Sequence, residues 1–209
     1  MGIIKTKGII IAENNTGDYD KMLTMLTPGF GKIGCYAKSA RRPTSLLLAG
    51  TQFLCFGDYL LYKGSNSYHI NSCEPIEVFY KLRNDLDKLN YSTYITKIIS
   101  DVTDENENSY KVLQLYLNTL YMIAETETNM KFIVAVFKIR LLCILGYTPM
   151  LDTKLSPTIL QTLEYIIKAP AKKIYSFEIP EDNVKELDKI ADKYMYQSLE
   201  KVYNFNLIY

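Results

Sequence analysis

Lys32, Gly34, Tyr36 and Lys38 alternate along one short stretch, and Arg41 and Arg42 follow almost at once. In an extended strand, alternate residues share a face. A cation, a small residue, an aromatic ring and a second cation on one face suit single-stranded nucleic acid: the cations neutralise phosphates while a base stacks on the ring. No acidic residue lies between Lys32 and Arg42. Pro43 restricts the backbone just after the two arginines and helps hold them outward. Taken alone, these residues fit equally a solvated strand face beside a loop.

Residue sets for other chemistry are missing. His69 is the only histidine and falls in a strand pattern without a cysteine or carboxylate cluster around it, which reads as structural. Asp101, Asp104, Glu105 and Glu107 are interleaved with Asn106, Asn108 and Ser109, the composition of a solvated loop. No phosphate loop, nucleophile elbow or dinucleotide fingerprint occurs. Cys35, Cys55, Cys73 and Cys143 are far apart with no CxxC among them, so they read as buried free thiols in a reducing compartment. The expectation is a non-enzymatic protein with no cofactor and no metal.

Charge is segregated along the chain although 24 basic and 23 acidic residues leave only +1 overall. That balance excludes a globally basic nucleic-acid binder but not a local patch. Residues 1–73 hold eight basic side chains against four acidic, and residues 74–130 hold five against ten. Lys63 belongs to the basic portion.

The elements that must position these residues divide near residue 75. Ile3–Ala12, Lys21–Thr27, Gly31–Ser39, Thr51–Lys63 and Tyr68–Glu77 read as strands, separated by turn signals at 14–18, 28–29 and 64–66 and by a loop over 40–50. Five strands in so short a span with no long helix suggest a small barrel of the OB type. Beyond Pro75 the period turns helical. Helices are expected over 76–102 (in one piece or two), 109–125, 130–145, 157–168 and 181–203, with Ser109 and Ser156-Pro157 as starts and Gly146 and Pro149 as a stop. Leu113, Tyr116, Leu117, Leu120 and Tyr121 share one apolar helix face, a core signature. The apolar stretch Phe132–Leu145 contains Lys138 and Arg140 and falls short of the ~20 residues a membrane span needs, so it reads as a buried helix. The fold class is therefore α+β: an OB-fold barrel over 1–76, then an all-helical domain over 77–209. A 48% hydrophobic content supports a folded chain, and with no targeting signal in the sequence the expected location is cytoplasmic.

The segment from Gly17 to Thr27 (Gly-Asp-Tyr-Asp-Lys-Met-Leu-Thr-Met-Leu-Thr), Gly31-Lys32-Ile33 and the run Ala37-Lys38-Ser39-Ala40-Arg41-Arg42-Pro43 closely resemble the opening domain of the RecO recombination-mediator family. Leu61-Tyr62-Lys63-Gly64, the segment 79–94, Phe137-Lys138-Ile139-Arg140-Leu141-Leu142 leading to Leu145-Gly146-Tyr147, and Leu155-Ser156-Pro157 through Ala169-Pro170 continue it in order. The resemblance implies an OB domain, a helical domain, and a DNA-repair role in the RecF pathway of bacteria, with nucleoid association during repair. It further implies binding of single- and double-stranded DNA, annealing of complementary strands, contact with the C-terminal tail of single-strand-binding protein, and action with RecR to load recombinase. Many relatives insert a four-cysteine zinc module before the closing Ser-Pro helix. Here residues 151–155 connect directly, so the module and its zinc are expected to be absent.

The expected DNA-binding set is Lys32, Tyr36, Lys38, Arg41, Arg42 and Lys63. The other class considered is a protein-interaction adaptor, gripping an acidic, apolar peptide tail through the helical domain and binding DNA only weakly. Arg140 is its candidate partner for a terminal carboxylate, against a plainer role as an internally paired arginine.

Overall fold

The computed structural model describes residues 2–64, 67–149 and 155–205, and the expected connection at 151–154 and the centre of the turn at 64–66 fall outside them. Two compact units emerge: Met1–Tyr80 with Ile99–Leu113, and Lys81–Ile98 with Gln114–Tyr209.

In the first unit, β1 (Ile3–Thr16), β2 (Asp20–Thr27), β3 (Gly31–Ala37), β4 (Phe56–Lys63) and β5 (Tyr68–Glu77) close a barrel in the order β1-β2-β3-β5-β4. Closure depends on the length of β1. Ile3–Ile9 pair with β4 and Ile9–Thr16 pair with β2, with a bulge between Ile10 and Ala12 where the strand changes partner. On β3 burial alternates, with Ile33, Cys35 and Ala37 inside and Lys32, Gly34 and Tyr36 outside, as the spacing predicts. Ile10, Leu23, Met25, Ile33, Cys35, Tyr59, Leu61, Tyr68 and Ile70 fill the interior. Burial pushes the Cys35 thiol up to about 12, so it is a packing group rather than a nucleophile.

Two strand limits differ from expectation. β1 and β2 run on to Thr16 and from Asp20, because Asn14 and Asn15 pair with Met22 and Lys21 and leave only Gly17–Tyr19 as the turn. β4 starts at Phe56 rather than Thr51: Leu54 takes a positive φ of 65°, which breaks the strand and leaves 51–55 in the loop.

Glycine is obligatory at position 31. Its φ is 65°, and a Cβ there would lie 1.9 Å from the Asp104 carbonyl oxygen. Gly31 bridges Glu105, and the Lys32 amide donates to Asp104 O at 3.1 Å, so the acidic loop at 104–107 is a structural ligand of β3.

The helices are α1 (Tyr80–Arg83), α2 (Leu86–Val102), α3 (Tyr110–Glu125), α4 (Met130–Ile144), α5 (Pro157–Lys168) and α6 (Glu181–Leu199). The expected 76–102 segment starts only at Tyr80, because β5 continues to Glu77 and Phe79 adopts a φ of 50°. It forms two pieces because Asp85 opens a second helix, its carboxylate accepting from the Lys88 amide at 3.0 Å. Ser156 caps α5 by accepting from the Ile159 amide at 3.3 Å, with Pro157 in the first turn. α6 ends at Leu199 rather than 203, where Glu200 turns left-handed. α4 is apolar on nearly every side and packs against α5 and α6. On α3, Leu113, Tyr116 and Leu120 are buried as expected, whereas Tyr121 is 41% exposed beside a groove of about 500 Å³ lined by Asn118, Lys172 and Tyr175. Among the described residues no helix is long and apolar enough to cross a membrane.

Candidate nucleic-acid interface

Strand register, rather than spacing within one strand, composes the outer barrel face. Met22 pairs with Tyr36, Tyr36 lies beside His69 across the parallel β3–β5 contact, and His69 pairs with Tyr62 on β4. Their chain neighbours Leu23, Cys35, Ile70 and Leu61 are buried, so these four side chains point outward. Met22, Tyr36, His69 and Tyr62 therefore form one row across four strands, spaced about 4.8 Å apart. The Tyr36 and His69 rings meet edge to face, with centroids 5.5 Å apart at 66°. Such a row offers successive sequence-tolerant surfaces for bases. Period-2 alternation marks Tyr62 and His69 as outward-facing, but only the β3–β5 register places them beside Tyr36.

The loop after β3 is fastened by Tyr19 of the β1–β2 turn and Asp20 at the start of β2. The Asp20 carboxylate accepts from the Tyr36 hydroxyl and, at 2.6 Å, from the Ser39 amide. The Tyr36 bond, the Ser39 N–H and the charges of Lys38 and Arg42 hold Asp20 below its ordinary range despite some desolvation, while the same bond raises Tyr36. Tyr19 O accepts from the Arg41 amide at 2.9 Å, and the Arg42 guanidinium sits 5.1 Å from the Tyr19 ring centroid. The hydroxyl of buried Tyr59 holds the far end of the loop by donating to Gly50 O at 2.7 Å.

The six expected contact residues thus have different surroundings. Lys38, Arg41, Arg42 and Lys63 are exposed and make no ion pair among the described residues. Tyr36 is half-buried, with its ring in the outward row and its hydroxyl on Asp20. Lys32 is half-buried, and its ammonium donates at 2.5 Å to Ser100 O, a carbonyl in the last turn of α2, where helix carbonyls have no partner within the helix. A phosphate at Lys32 must therefore compete with a helix end. Elsewhere on the barrel, Lys7 pairs with Asp58 at 2.9 Å and the almost buried Lys21 with Glu13 at 2.7 Å. The exposed positive charge is thereby concentrated on the loop, Lys63 and Lys5.

In the helical unit, Arg140 Nη1 donates to Ile166 O at 3.0 Å and to Ile167 O at 2.5 Å, the closing carbonyls of α5. Lys138 is 3% exposed and donates to Asp192 at 2.6 Å, with Asp188 at 3.7 Å and the Tyr94 ring centroid at 5.2 Å. Burial alone would lower its pKa, but Tyr94, Asp192 and Asp188 outweigh it and hold Lys138 above its ordinary value. Among the described residues no group of three or more His, Cys, Asp or Glu side chains could hold a metal ion.

Small five-stranded barrels of this kind are an architecture that nucleic-acid-binding proteins, among others, use. Two family models match the chain: "Recombination protein O N terminal" over residues 1–79 and "Recombination protein O C terminal" over 83–155. A protein of Acetivibrio thermocellus described as "DNA repair protein RecO" is 38% identical over 97% of this chain and 94% of its own length. Relatives of the same description from Alkaliphilus metalliredigens and Thermoanaerobacter sp. are 35% identical over 74% of this chain and 63% of their own, and 24% identical over 96% and 94%. The first alignment occupies 237 positions but only 97% of a 209-residue chain, so that relative carries about 34 positions without a counterpart here. The chain belongs to the RecO family, and its role is in DNA repair and recombination, which the family serves as a mediator rather than as an enzyme.

Proposed function

We propose that the barrel binds single-stranded DNA with its bases against the Met22–Tyr36–His69–Tyr62 row and its phosphates on Lys38, Arg41, Arg42 and Lys63. The outward row of three rings and Met22, with four exposed cations on the same barrel, carries this reading. Stacking and phosphate neutralisation are both indifferent to sequence, as a mediator working anywhere on a chromosome requires. Duplex DNA binds through the same cations. Annealing then needs no catalytic group, because neutralising two strands lowers the electrostatic cost of bringing them together.

Loading of recombinase together with RecR, and contact with the tail of single-strand-binding protein, extend the reading on the strength of family membership. The helical unit is the proposed home of the tail contact. A carboxylate arriving at Arg140 would have to share its guanidinium with Ile166 O and Ile167 O. The test is binding of fluorescent single-stranded and duplex oligonucleotides across a salt series, with annealing of complementary strands read in parallel. Steep salt dependence and annealing are expected. Weak binding that salt does not alter, beside tight capture of an acidic tail peptide, would instead make the protein an adaptor.

A further inference from the structure

Leu46 is the most exposed large apolar side chain among the described residues, at 94%, in the loop that follows Lys38, Arg41 and Arg42. A lone exposed leucine is ordinarily unremarkable. Three features distinguish this one. The backbone around it is tied: the Ser45 amide donates to Arg42 O at 2.9 Å and the Leu48 amide to Ser45 O at 3.2 Å, giving two successive turns. Its neighbour Leu47 packs against the barrel core, and the Thr51 amide and hydroxyl both donate to Leu47 O, at 3.1 and 2.7 Å. Leu46 is thus presented outward by an anchored frame, which lowers the entropy cost of using it in binding. Finally, the loop that carries it holds Arg41 and Arg42 and no acidic residue of its own, with Asp20 bonded to the Ser39 amide at its start.

We infer that Leu46 is an apolar wedge that enters DNA at an opened base step or against the terminal base pair of a single-strand–duplex junction, while Arg41 and Arg42 hold the flanking phosphates. The Ser45 amide's bond to Arg42 O returns the chain beside Arg42 one residue before Leu46, so the wedge and the arginine leave the same turn. Phosphates along a strand lie close enough together for both to be satisfied at one step. Apolar side chains inserted between base steps unstack and bend duplexes in just this combination with arginine. A loop that carries two exposed arginines and no carboxylate of its own favours a polyanion over the apolar pocket of a protein partner. The inference rests on the DNA-binding reading and adds a substrate to it: junctions and deformable duplex steps rather than single strands alone.

The experiment compares wild type with Leu46→Ala, Leu46→Gln and Leu46→Met, on an unpaired oligonucleotide and on a hairpin with a single-stranded tail carrying 2-aminopurine next to the junction. Wild type and Leu46→Met should brighten the 2-aminopurine on binding. Leu46→Ala and Leu46→Gln should lose that signal and about tenfold in junction affinity, the order expected from withdrawing most of a buried leucine. Their affinity for the unpaired oligonucleotide and their melting temperatures should match wild type, because the side chain touches little in the free protein. An undiminished 2-aminopurine signal in Leu46→Ala overturns the wedge alone. So does an equal loss on both oligonucleotides, or a loss confined to binding of a protein partner. Failure of the wild type to bind either oligonucleotide overturns the DNA-binding reading with it.

Discussion

Changing Lys38, Arg41 and Arg42 together to Ala separates the local patch from the nearly neutral whole. All three are exposed and without ion pairs among the described residues, so each can neutralise a phosphate without first breaking a salt bridge, and Arg42 has only its contact with the Tyr19 ring to adjust. Each contact on a single strand releases about 0.7 counterion. Three lost contacts should therefore flatten the slope of log affinity against log salt by roughly 2. Exposed charges contribute little to folding, so the melting temperature should barely move. Lys32→Ala is the internal control. Its ammonium closes the end of α2 through Ser100 O, so the change should lower the melting temperature while altering the salt slope by much less than one contact. Fluorescence anisotropy of a labelled single strand between low and physiological salt measures the slopes, with circular dichroism to confirm folding. A folded triple variant that retains both affinity and slope would refute the patch. A Lys32 variant that loses as much slope as the triple would refute the assignment of Lys32 to the helix end.

Tyr36→Ala should cost about 1–3 kcal/mol of single-strand affinity with little change in salt slope, and Tyr36→Phe should retain most of it, because the ring rather than the hydroxyl faces the base; equal losses in the two variants would point to the Asp20 bond instead. Asp20 is held below its ordinary carboxyl range, so its stabilisation of the loop is complete above about pH 4 and disappears as pH falls through its lower folded value; an NMR titration placing Asp20 at or above the ordinary value would contradict this. Arg140→Ala should destabilise the helical unit by about 1–3 kcal/mol by stranding the carbonyls of Ile166 and Ile167, and denaturant unfolding measures it. Removing both carboxylates from Lys138, as Asp188→Asn with Asp192→Asn, should cost about 3 kcal/mol by leaving a buried cation unpaired, whereas an unchanged midpoint would show that the pair contributes nothing.

Local patterns determine much of this chain. Alternation along β3 makes Lys32, Gly34 and Tyr36 outward and Ile33, Cys35 and Ala37 inward whatever their neighbours, because side chains on a strand must alternate. Ser156-Pro157 starts a helix because the cap and the fixed φ act within one turn. The class of protein is equally legible, since the order of short motifs survives in the linear sequence. Partnership over long separations is not. Lys32 reads as a phosphate ligand in its strand, and only tertiary structure brings Ser100 to it, 68 residues away in the chain. Lys138 and Arg140 look alike as charges within an apolar run, yet one meets Asp192 and the other the closing carbonyls of α5. His69 and Tyr62 join Tyr36 only because β5 lies between β3 and β4 in the closed barrel. A strand's own periodicity fixes which way each side chain points, but register and closure, set by packing of the whole barrel interior, decide what stands beside it.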